Sequence, residues 1–147
     1  MQKKRFVIDT NVFIAAFKSG YTTTTILLLK LLLDPEVELI VDDVLLKEYE
    51  KWFKTLSSRT PKIREQVELL YSLIKTKAKI ETPDNDDINR VRPYLPETEI
   101  ADIYHAATCL KTNSILITND KDFQELRKTK IVEIWTISEA VKKLLKR

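Results

Sequence analysis

The sequence predicts an α/β fold: a three-layer α/β/α sandwich around a mostly parallel sheet of four or five strands. Three observations carry this reading. Short apolar runs alternate with longer segments of helical period, the signature of successive βαβ crossovers. The runs Phe6-Val7-Ile8 and Ile115-Leu116-Ile117 are apolar at every position, so both faces of the sheet are covered there. At 147 residues and 44% hydrophobic content, the chain is long enough to bury its own core.

The elements follow in order. The first strand is read at 6–8, and helices follow at 12–18 and 22–33. The segment from Leu27 to Leu33 is apolar on every face, so it is either core or an interface. A strand at 37–41 precedes helices at 43–56 and 61–77, and Lys79-Ile80-Glu81 reads as a short edge strand before Pro83. Helices at 86–93 and 99–112 lead to the strand at 115–117. A helix at 121–128, a strand at 131–135 and a helix at 138–146 complete the chain. No repeat, low-complexity tract or linker interrupts it, which predicts a single domain over residues 1–147.

Composition removes several chemistries. The single cysteine, Cys109, forbids an internal disulfide and a thiolate metal cluster, and it favours a reducing cytosolic location. Glycine occurs once, at Gly20, which excludes glycine-rich phosphate loops. The longest apolar stretch is interrupted by Lys30 and is too short to span a membrane. With only one histidine, His105, the 22 acidic residues are the main candidates for catalysis. A net charge of +3 is compatible with a nucleic-acid partner without demanding one.

In parallel sheets, ligands gather beyond the carboxyl ends of the strands. Two polar triplets stand there: Asp9-Thr10-Asn11 after the first strand and Thr118-Asn119-Asp120 after 115–117. Glu48 lies roughly 60° from the apolar centre of its helix, the one charged side chain there aimed toward the protein. In the otherwise apolar helix 99–112, Asp102 and His105 are the strongly polar positions before Lys111. Glu99, one turn before Asp102, is placed to share a ligand with it. His105 reads as a satisfied helix residue or an outer partner of Asp102. Asp122 reads chiefly as a helix N-cap, with a metal role as the alternative, and Asp42 and Asp43 as N-caps.

Asp9, Glu48, Asp102 and Asp120 are therefore expected to converge. Two carboxylates ~4 Å apart repel by about 4 kcal/mol at an effective dielectric near 20. Such a cluster needs divalent cations or protonated members. Hard oxygen donors select Mg²⁺ or Mn²⁺ over zinc. The use such a site best fits is phosphodiester hydrolysis, with Asn11 and Thr118 orienting ligands or water.

At these residues the sequence resembles the PIN-domain nucleases, particularly VapC-type toxin ribonucleases. The resemblance rests on Val-Ile-Asp-Thr-Asn-Val at 7–12, Leu-Lys-Glu-Tyr at 46–49, Ala-Asp-Ile-Tyr-His-Ala-Ala at 101–107 and Thr-Asn-Asp-Lys-Asp-Phe at 118–123. It implies strand order 3-2-1-4-5 and Mg²⁺- or Mn²⁺-dependent cleavage of single-stranded RNA by the quartet Asp9, Glu48, Asp102 and Asp120. Asp122 matches a fifth acid of many members, and Glu99 an extra acid of some. The 43–77 region resembles the helical projection that pairs protomers and holds an antitoxin peptide in toxin members, implying a homodimer and an antitoxin partner. The family also contains RNA-processing nucleases and inactive scaffolds.

Basic residues cluster at Lys3-Lys4-Arg5, from Arg59 to Arg64, at Lys75-Lys77-Lys79, at Lys128-Lys130 and from Lys142 to Arg147. Arg59, Lys62 and Arg64 are the preferred RNA-phosphate contacts. Two other classes compete with a nuclease. An aspartyl-phosphate phosphotransferase needs a second acid where Asn11 stands, and a non-catalytic binding module does not need the complete acid set.

Overall fold

The computed structural model describes residues 3–17, 22–59 and 61–145. Lys18 of the first predicted helix, Gly20, and Lys146 and Arg147 of the last basic cluster lie outside these. Five strands, β1 (Lys4–Ile8), β2 (Val37–Val41), β3 (Lys79–Ile80), β4 (Ile115–Ile117) and β5 (Ile134–Trp135), form one sheet in the order β3-β2-β1-β4-β5. Every pairing is parallel. Among the described residues, eight α-helices flank it: α1 (Thr10–Phe17), α2 (Thr23–Leu33), α3 (Asp43–Arg59), α4 (Arg64–Lys77), α5 (Asn85–Val91), α6 (Ile100–Thr112), α7 (Gln124–Thr129) and α8 (Ile137–Leu144). This is the α/β class and strand order expected from the sequence. In β1, Phe6, Val7 and Ile8 are fully buried, the mark of a central strand covered on both faces.

The departures from the expected boundaries have local causes. Helix α1 starts at Thr10, because Val12 N donates to Asp9 O and closes the first turn directly after the strand. Helix α3 runs on to Arg59, and the helix expected over 61–77 begins as a 3₁₀ turn at Pro61–Ile63 before α4. The helix over 86–93 tightens to a 3₁₀ turn at Arg92–Tyr94, where Pro93 lacks an N–H for the helical ladder. The strand over 131–135 narrows to Ile134–Trp135, because the short β4 pairs only Leu116 and Ile117 with it.

The leucine-rich helix α2 is core along one side. Leu27, Leu28, Leu31 and Leu32 are buried, while Ile26 and Leu33 remain exposed on the other side. An aromatic cluster then fixes α3. Phe13 of α1 meets Tyr49 at 4.6 Å and Phe53 at 5.5 Å, edge to face, and Phe53 stacks on Tyr71 of α4 at 4.9 Å. Tyr49 donates its hydroxyl to the Ile8 carbonyl, the last of β1. These contacts lock α3 in rotation, so Glu48, beside Tyr49, meets the end of β1.

Candidate active site

Parallel pairing brings all the carboxyl ends of the strands to one edge of the sheet. Because Ile8 and Ile117 are register partners, the residues that follow them are neighbours. Thr118 Oγ1 donates to Asp9 Oδ2 at 2.7 Å, and Asn11 Nδ2 donates to the same oxygen at 3.2 Å. Asn11 Nδ2 also lies 3.2 Å from Thr118 Oγ1, and Asn119 N donates to Asn11 Oδ1. Asp120 N donates to Thr118 Oγ1 at 3.0 Å. The two polar triplets are thus interlocked, with Asn11 and Thr118 both donating to the Asp9 carboxylate.

Asp9, Asp102 and Asp120 each offer an oxygen within 4.8 Å of the other two. A second group, Glu99, Asp102 and Asp122, meets the same limit and shares Asp102 with the first. The pairing of Glu99 with Asp102 one turn on is the helical neighbour relation read from the sequence. Asp122 is not the N-cap expected of it. Asp120 is the N-cap, with its Oδ1 accepting from Asp122 N at 2.9 Å, so the Asp122 carboxylate is left for the acidic group.

Glu48 stands beside these acids rather than within either group. Its Oε1 accepts from Thr10 Oγ1 at 3.0 Å, and its Oε2 faces His105 Nε2 at 3.0 Å. The other ring nitrogen of His105 faces Asp42 Oδ2 at 2.8 Å. His105 therefore partners Glu48 and Asp42, not Asp102. Asp42 does cap α3, through Leu45 N at 2.7 Å, but it is also fully buried against His105. Sequence reasoning missed this link, although Asp42 follows β2 as Asp9 follows β1.

The electrostatics follow from crowding. Burial raises the Asp9 carboxyl above its ordinary range, against the pull of Thr118 and His105. Asp102 is pushed up to about 7 by burial and then by the charges of Asp9 and Asp120. Burial also acts to raise Glu48, but the hydrogen bond and charge of His105 outweigh it and leave Glu48 lowered. Burial acts to lower His105, yet Asp42 and Glu48 raise it to about 10. An all-oxygen donor set that binds a proton near neutrality fits a hard divalent cation, which would displace that proton.

The basic residues lie elsewhere. Arg59, Lys62 and Arg64 are exposed where α3 turns into α4, and Arg64 Nε donates to Ser57 O at 3.0 Å. Arg59 is eleven positions beyond Glu48 on α3, about 16 Å by helical rise. Lys3, Lys4 and Arg5 line a cleft with Glu38, Asn113 and Glu133 at the opposite end of the sheet.

A parallel α/β/α sandwich with interlocked aspartates at the ends of its first and fourth strands is the architecture of a PIN-type nuclease. The PIN domain model matches residues 6–129, and the chain belongs to the PIN domain family. Among curated proteins, none matches this chain in sequence. Several solved structures share the fold, among them these three. VapBC2 from Rickettsia felis, bound to a DNA fragment from its promoter, is 14% identical over 90% of this chain and 98% of that one, with a TM-score of 0.61. VapBC-1 from nontypeable Haemophilus influenzae is 17% identical over 91% and 98%, with a TM-score of 0.58. PAE2754 from Pyrobaculum aerophilum is 14% identical over the full length of both chains, with a TM-score of 0.60. At these identities the likeness is one of fold. No helix among the described residues is long and apolar enough to cross a membrane.

Proposed function

We propose that this chain is a divalent-cation-dependent endoribonuclease, using Mg²⁺ or Mn²⁺, and the toxin of a toxin–antitoxin pair. The observation that supports this most directly is the meeting of Asp9, Asp102 and Asp120 within 4.8 Å, with Asp102 raised to about 7. In this reading Asp9, Glu48, Asp102 and Asp120 hold the cation, and Asp122 and Glu99 extend the acidic surface toward a second position. Thr118 and Asn11 fix the Asp9 carboxylate, and Thr10 and His105 fix that of Glu48. When bound, the cation supplies charge neutralisation, a more acidic water and stabilisation of the departing 3′-oxygen. Without it the acids repel a polyanionic substrate.

Single-stranded RNA is the proposed substrate, and Arg59, Lys62 and Arg64 the phosphate contacts that anchor it away from the acids. The likeness to VapBC structures supports an antitoxin partner. Its seat along α3 and α4, and a homodimer, follow from the resemblance of the 43–77 region to the helical projection of toxin members. A cytosolic location accords with the single buried thiol.

The test is cleavage of single-stranded RNA by the purified chain with Mg²⁺ or Mn²⁺. Activity is expected to vanish in EDTA and in Asp9→Asn. Cleavage that persists in EDTA overturns the proposal. Calorimetry that detects no Mn²⁺ binding assigns the chain instead to the non-catalytic members of the family. A neighbouring reading frame encoding a small DNA-binding protein separates a toxin from an RNA-processing nuclease.

A further inference from the structure

Behind Glu48 lies a buried chain of contacts that the acidic cluster alone does not require. Asp42 and His105 are 0% and 1% exposed. The Asp42 carboxylate is immobilised from both sides. Its Oδ1 accepts from Leu45 N at 2.7 Å, and its Oδ2 faces His105 Nδ1 at 2.8 Å and Thr108 Oγ1 at 3.4 Å. Across the ring, His105 Nε2 reaches Glu48 Oε2 at 3.0 Å, while Thr10 Oγ1 donates to Glu48 Oε1. Each ring nitrogen thus has one carboxylate oxygen within hydrogen-bond distance.

Stability does not explain such an arrangement. Burying a charged triad is costly, and apolar residues of similar volume often do as well or better. What the triad accomplishes is directional. Glu48 sits on a flexible side chain that is only half buried, and each of its oxygens is met by one donor whose own position is fixed. The remaining lone pairs stay available beside Asp9, whose carboxyl feels the Glu48 charge.

We propose that His105, backed by Asp42, is a positioning residue that holds the Glu48 carboxylate in its working orientation at the acidic cleft. This rests on the nuclease reading above. Outer partners of ligating carboxylates change metal affinity or activity by about 10- to 100-fold when removed, and that is the range expected here.

The experiment uses the full chain and its single histidine, whose ring signals are unambiguous by ¹⁵N NMR. Glu48→Gln is expected to displace the ring Nε2 signal and leave Nδ1 nearly unmoved. In parallel, His105→Gln is expected to lower kcat about 10- to 100-fold, leave KM within about twofold, and weaken binding of Mn²⁺ alone. Asp42→Asn, which retains the ring, is expected to give a smaller loss of the same kind. It also replaces His105→Gln if that variant does not fold. A folded variant that melts earlier but keeps kcat and Mn²⁺ affinity within twofold overturns the proposal, as does an Nε2 signal indifferent to Glu48→Gln. Asp9→Asn is assayed alongside. If it cleaves like the unmodified chain, the nuclease reading has failed, whereas the ring signals still report the Glu48 contact.

Discussion

Thr118 donates its hydroxyl to Asp9 Oδ2 at 2.7 Å, joining residues 109 positions apart. The same oxygen atom of Thr118 accepts from Asp120 N, so one hydroxyl sets two acids at once. Thr118→Val keeps the shape and removes these two hydrogen bonds together with that from Asn11 Nδ2. A loss of about 10- to 100-fold in cleavage rate is expected. The fold should weaken by about 1–3 kcal/mol, because the buried Asp9 carboxylate loses a donor. Cleavage assays and denaturant melts measure the two effects, and Thr118→Ser should restore both.

Asp102 makes the cation-free fold sensitive to pH. Burial and the charges of Asp9 and Asp120 raise its carboxyl to about 7 from an ordinary 3.8. A raised acid contributes stability that is complete below its unfolded value and lost as pH rises through its folded one. In EDTA, Tm should therefore fall as pH rises from about 4 to about 8. Asp102→Asn should flatten that fall while abolishing cleavage. Mn²⁺ at about 100 times its Kd should add about 2.7 kcal/mol to the unmodified chain. The same Mn²⁺ should add far less to the variant.

His105 extends the decline into alkali. Burial acts to lower it, but Asp42 and Glu48 raise it to about 10 from 6.5. Its contribution is complete below 6.5 and disappears as pH rises through about 10. Glu48, which is lowered, acts in the opposite direction, losing its contribution only in acid. Melts in EDTA between about pH 8 and 10.5 should show a decline that survives Asp102→Asn and is absent in His105→Gln. An unchanged alkaline decline in His105→Gln would contradict this account.

Arg59, Lys62 and Arg64 are distant from the acids, so their role separates cleanly from cation binding. Replacing all three with glutamine should weaken binding of single-stranded RNA. It should also reduce the salt slope by about 0.7 for each RNA phosphate that is no longer neutralised. Mn²⁺ affinity should not change. Fluorescence anisotropy across a salt series, with calorimetry for Mn²⁺, reads both.

Tyr49 carries the link between core and site, because its hydroxyl serves the Ile8 carbonyl directly before Asp9. Tyr49→Phe leaves that buried carbonyl without this donor and should cost about 1–3 kcal/mol in denaturant unfolding.

The strands, the parallel order and the acids were legible in the sequence for different reasons. Phe6-Val7-Ile8 and Ile115-Leu116-Ile117 announce central strands by having no polar side. Asp9 and Asp120 are conspicuous because they follow those runs, and Asp102 because it interrupts an apolar helix. The cap at Asp120 rather than Asp122 was not legible, since either residue suits a helix start and only backbone geometry chooses. The pairing of His105 with Asp42 spans 63 positions, and no periodicity within one helix reports on it.

Local pattern alone determined that this chain builds a covered parallel sheet with carboxylates at the ends of its strands. That follows because side-chain periodicity and strand-end polarity are properties of short windows. Tertiary structure alone decided which oxygens meet, that Glu48 is held by His105 and Thr10, and that Asp102 binds its proton so tightly. The reason is physical: strand register sets the distances, burial sets the dielectric, and the energy of a charge depends on both.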